Sequence, residues 1–67
     1  MAKLSTQERF EFGKTLRRFV RDHPEIEDVT GYSQVYYTRL IDNFIQRGMP
    51  VDVDGQNNLL TLIREVF

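Results

Sequence analysis

His23-Pro24, Gly31 and the run Gly48-Met49-Pro50 cut this chain into short pieces, and those pieces limit what it can fold into. A residue before proline is pushed out of the α region, and a glycine just past a helix takes up the left-handed turn that ends it. Between these breaks the apolar residues recur at helical spacing. Ser5-Thr6-Gln7-Glu8 fits a capping box, the Ser hydroxyl accepting from the Glu8 N–H while the carboxylate reaches back to the cap. A first helix is predicted from about Thr6 to Asp22, with Phe12, Leu16, Phe19 and Val20 on one face. Lys14, Arg17, Arg18 and Arg21 gather on the other, and Phe10 lies near them with no obvious core to fill.

Pro24 suits the first position of a short second helix through about Val29, with Ile26 and Val29 facing inward. After the turn at Gly31, Ser33 can cap a third helix that runs to Arg47, inward through Tyr37, Leu40, Ile41, Phe44 and Ile45. Val35, Arg39, Asp42, Asn43 and Gln46 occupy its outer face. The end of the chain has two readings. Leu59, Leu62, Ile63, Val66 and Phe67 keep helical spacing, whereas Val51 and Val53 alternate with aspartates before the turn pair Asp54-Gly55. The helix is the stronger pattern. The expectation is a mostly α, single domain over residues 1–67, of three to four helices with a helix-turn-helix, and a short β wing at 50–58 as the alternative for its end.

Composition narrows the partners more than the fold. Hydrophobic residues at 40% with 28% charge belong to a globular chain, and 67 residues without cysteine allow only a modest core, with no disulfide or thiolate metal site to support it. The net charge is −1 but unevenly spread. Residues 1–23 carry Lys3, Arg9, Lys14, Arg17, Arg18 and Arg21 against Glu8, Glu11 and Asp22, a surplus of +3. Residues 24–67 carry Arg39, Arg47 and Arg64 against seven carboxylates, a surplus of −4. A non-specific nucleic-acid binder is usually far more basic, so any DNA contact must use a local patch. No apolar run has the length of a signal peptide's core or a membrane span, and cytoplasmic residence is the expectation.

Gly31, Ser33, Tyr37, Ile41, Phe44, Gly48 and Met49-Pro50-Val51 follow a spacing that resembles the turn, recognition helix and start of the wing in winged helix-turn-helix regulators of the DeoR-like and biotin-repressor-like kind. The match covers residues 31–51. It implies a DNA-binding transcription regulator of bacterial or mobile-element type, with its recognition helix at 33–47. Exposed side chains early in such a helix meet base edges in the major groove. Here these are Gln34, Val35, Tyr36, Thr38 and Arg39, with Ser33, Tyr32 and the helix N-terminus placed for a phosphate; Arg17, Arg18 and Arg21 would hold the DNA backbone only if the fold brings them to the same side. Three features depart from the pattern: Glu27 stands where the family usually has a small residue, the second helix is short, and Asp42 shares a face with Arg39.

The second reading is a protein-interaction module, an inhibitor or adaptor. It would dock a partner through Phe10, Lys14, Arg17 and Arg21, or through the C-terminal apolar helix with Leu62, Val66 and Phe67. That helix spreads its apolar residues over a broad arc, which fits either a cap on the core or a homodimer interface. Asp52-Val53-Asp54-Gly55-Gln56-Asn57-Asn58 faintly resembles a calcium loop, but its glycine is misplaced and Ile63 stands where the closing Glu belongs. It reads as turn and cap chemistry. His23, the sole histidine, reads as a helix-end residue. No nucleophile–base pair, phosphate loop or metal cluster is legible, so the expectation is a non-enzymatic chain with no cofactor and no metal.

Overall fold

The computed structural model describes residues 4–67 and contains four helices: α1 (Thr6–Asp22), α2 (Ile26–Thr30), α3 (Gln34–Arg47) and α4 (Val53–Val66). Among the described residues there is no strand. The all-α, four-helix domain therefore stands, and the wing alternative falls. Residues 53–58 form the opening turns of α4, because the Asp52 carboxylate accepts from the Gly55 N–H at 2.8 Å and caps a helix there. The Val-Asp alternation is the capping segment of a helix that starts earlier than its apolar stripe.

The caps of α1 and α3 and the glycine stop of α2 are those the sequence predicts, but α2 begins at Ile26, with Pro24 and Glu25 in the turn before it and not in its first helical position. Ser5 and Glu8 close a reciprocal capping box on α1, with Ser5 N–H donating to Glu8 at 2.9 Å and Glu8 N–H donating to Ser5 Oγ at 3.1 Å. Ser33 Oγ accepts from the Tyr36 N–H at the start of α3. Gly31, at φ +82°, ends α2 in the left-handed conformation that only glycine adopts cheaply. At the end of α1, His23 donates its backbone N–H to Phe19, and its ring Nδ1 lies 2.8 Å from Glu25.

The core is built mainly between α1 and α3, which run antiparallel, and α4 covers it. Leu16, Val20, Ile26, Tyr37, Leu40, Ile41, Phe44, Leu59 and Leu62 are buried together. Gly13 lies in the α1–α3 seam: a Cβ there would run into the Ile45 side chain, so glycine permits the two helices to close up. Phe12 and Phe19 are only partly buried on the inward face of α1, and Ile45 likewise on α3. Val29 departs from expectation. It is 70% exposed, because a helix of five residues has room for one inward position, and Ile26 takes it. No helix among the described residues is long and apolar enough to cross a membrane.

Candidate functional site: a cationic groove between α1 and α3

The antiparallel seam places the second half of α1 beside the first half of α3, and the surface between them is a groove of about 680 Å³. Lys14, Arg17, Arg18 and Arg21 line it from α1, and Arg39 lines it from α3. Helical spacing explains the first four, since three- and four-residue steps bring side chains to one face. The fifth joins them through tertiary packing, which sequence spacing alone does not reveal.

Three of these cations have carboxylate neighbours. Lys14 lies 3.9 Å from Glu11, Arg17 lies 3.5 Å from Asp42 and Arg21 lies 3.2 Å from Asp22. All three pairs are well exposed, so each contributes at most about 1 kcal/mol to folding and lets go of its cation at little cost. Arg18 and Arg39 enter no ion pair among the described residues. Asp42, a departure from the helix-turn-helix pattern, thus partners Arg17 across the seam rather than Arg39 on its own helix. The apolar element of the groove is Val35, 63% exposed. Phe10, 48% exposed, flanks it with the Lys14 ammonium 5.4 Å from its ring centroid.

The remaining recognition-helix candidates are occupied inside the molecule. Gln34 Nε2 donates to the Val20 carbonyl at 2.7 Å. That carbonyl is in need of a donor: the residue four positions on is Pro24, which has no N–H. Gln34 therefore completes the end of α1. Glu27 accepts from the Gln34 N–H at 3.0 Å, which puts a carboxylate at the positive end of α3, where the regulator reading places a phosphate. Tyr36 stacks on Tyr32 at 4.7 Å between ring centroids, and its hydroxyl accepts from Asn58 Nδ2 at 2.8 Å. Thr38 Oγ1 donates to the Gln34 carbonyl at 2.9 Å. Of the five side chains expected at base edges, only Val35 and Arg39 project without such ties.

Sequence reading missed the cap role of Glu27 and the structural role of Gln34. A signal for the second was present in Pro24, which orphans a carbonyl that something must satisfy. The C-terminal candidates divide by position. Leu62 is buried in the core, Val66 is partly buried against it, and Phe67 is 71% exposed with its ring stacked on Phe12 at 5.0 Å. Two carboxyls are held below their usual range. Glu8 is lowered by the Ser5 backbone N–H and then the Ser5 hydroxyl, and Glu25 by its own backbone N–H and then the His23 ring. Both belong to helix ends and not to the groove. Among the described residues no group of His, Asp and Glu could hold a metal ion.

Comparison of the chain with protein-family models, with curated proteins and with solved structures gives no match.

Proposed function

We propose that this protein is a small helical protein-interaction module that docks an acidic segment of a partner in the α1–α3 groove, with Phe10 and Val35 as apolar contacts. The observation that carries this reading is the convergence of five cations from two helices around an exposed valine. Exposed guanidiniums beside apolar side chains are the ordinary chemistry of interface anchors, and Arg is enriched among residues that dominate binding. Their present carboxylate neighbours are solvent-exposed and exchangeable, so a partner's Asp or Glu can replace them.

DNA reading is the second proposal, favoured by one observation: Arg39 and the α1 arginines share a groove, as a phosphate-backbone contact requires. Against it stand the internal ties of Gln34, Tyr36 and Thr38 and the Glu27 carboxylate at the start of α3.

One titration separates them, with a fluorescent peptide rich in Asp and Glu around a single Phe and, in parallel, a random DNA duplex. The peptide is expected to bind, and Arg18→Ser with Arg39→Ser is expected to weaken it about tenfold, or roughly 1.4 kcal/mol. Phe10→Ala should weaken it by a smaller factor. Tighter binding of the duplex, falling steeply as salt rises from about 50 to 200 mM and lost in Arg39→Ala, establishes the DNA reading instead. Binding of neither probe defeats both.

A further inference from the structure

Away from the groove, the start of α1, the end of α3 and the second half of α4 enclose a cleft of about 520 Å³. Leu4, Phe12, Phe44, Met49 and Ile63 form its apolar wall. Met49 is 47% exposed, and Phe67 on Phe12 carries the apolar surface onward. The rim bears two cations, Arg9 and Arg47. Neither enters an ion pair among the described residues. Arg9 Nη1 packs over Gly48, and its Nε is buried with no acceptor among the described residues.

We infer that this cleft docks an acidic amphipathic helix of a partner protein, its apolar side chains against Phe12, Met49 and Ile63 and its carboxylates on Arg9 and Arg47. Charge complementarity selects the occupant. A wholly apolar segment would cover two guanidiniums and leave them desolvated and unpaired, which is strongly unfavourable. A basic one would be repelled. A carboxylate takes a guanidinium through two parallel hydrogen bonds, and an apolar helix face laid in a groove is a common mode of peptide recognition. The cleft shares no lining residue with the α1–α3 groove, so it is a second interface that goes beyond the proposed function.

The test uses the full chain, isotope-labelled for NMR, and a capped peptide of about twelve residues, roughly three turns of helix. The peptide carries Leu and Phe one turn apart on one face and Glu elsewhere. Amide shifts are expected at Arg9, Gly48, Met49 and Ile63. Met49→Ser should weaken binding about tenfold through the lost apolar contact, and Arg47→Gln about threefold. Both replace exposed side chains, and the unperturbed spectrum of each variant verifies its fold. The peptide with Gln in place of Glu should bind more weakly to the parent chain. Arg18→Ser with Arg39→Ser should leave the cleft shifts intact, which keeps this inference separate from the groove reading. Shifts confined to residues 14–21 and 34–39, equal binding of the Gln peptide, or unchanged affinity in Met49→Ser overturns it. So does concentration-dependent movement of the cleft signals without peptide, which would make a second copy of this chain the occupant.

Discussion

The two ends of the α1–α3 seam solve opposite problems with the same pair of helices. At one end, Arg18, Arg21 and Arg39 crowd a groove whose charges are wet and partly paired; at the other, Arg9 and Arg47 edge an apolar cleft and enter no ion pair among the described residues. Exposed cations at the first end cost little to keep, and a partner bound there would be held mainly through charge and weakened by salt. At the second end burial would dominate, and the arginines would decide what is admitted more than how strongly it is held. The number of arginines is therefore a poor guide to function here. What surrounds each one decides.

Both surfaces depend on how closely the helices approach at Gly13, so the largest expected effect removes the comparison altogether. Gly13→Leu would drive a side chain into Ile45. Overpacking of this kind costs on the order of 2–3 kcal/mol, of which a better helix former returns up to about 1 kcal/mol. Denaturant unfolding should show the loss, and both grooves should weaken together because their walls are spread apart. Combining it with Ile45→Ala should restore part of the stability. If the double variant is no better than the sum of its parts, the contact does not set the seam.

A smaller change acts at the cationic end alone. Gln34→Ala withdraws the donor from the Val20 carbonyl, which Pro24 leaves without a helical partner. The expected cost is about 1–2 kcal/mol. Peptide affinity at the groove should fall while binding in the apolar cleft persists. Because Gln34 carries no charge, a loss of groove binding here would trace to the position of Arg39 and Val35 and not to electrostatics. Equal stability of the variant and the parent would mean that water satisfies the carbonyl as well as Gln34 does.

These two positions also show how far the sequence could be read. The helix boundaries were legible because they rest on local chemistry: Ser5 and Glu8, Ser33, and the stops at Pro24, Gly31 and Gly48 act within a few residues of themselves. The α1 and α3 stripes were legible too, since burial follows helical period, and Tyr37, Ile41 and Phe44 lie inside as expected. Val53 misled because alternation over four residues fits a strand and equally fits a capped helix start. Val29 misled because period says nothing about whether a helix of five residues has a second inward position. At the candidate site the α1 arginines were found by spacing, whereas the joining of Arg39 to them and the diversion of Gln34, Glu27 and Tyr36 depend on contacts between elements. No period in a sequence records those.

The smallest expected effect distinguishes the two ends by pH. Glu8 closes the cap that orders the start of α1, beside Leu4 and Arg9 of the apolar cleft. Its carboxyl is held below the ordinary range by the Ser5 N–H and hydroxyl. A carboxyl with a depressed folded pKa binds its proton more readily in the unfolded chain. Its contribution to stability is therefore present above the unfolded value, about 4.3 for glutamate, and is lost as pH falls through the lower folded value. Glu8→Gln should melt slightly below the parent near neutrality, and the gap should close on acidification through that window. Glu25 is depressed as well, so its stabilising contribution is also lost on acidification, and the difference between parent and Glu8→Gln, not the parent's own melting curve, isolates the cap. Hydrogen exchange read at Arg9 and at Arg18 then locates the effect. Faster exchange confined to the first turn of α1 in Glu8→Gln means that the cleft end loosens by itself; equal acceleration at Arg18 means that the two ends unfold as one unit and that their separate chemistries rest on a single cooperative seam.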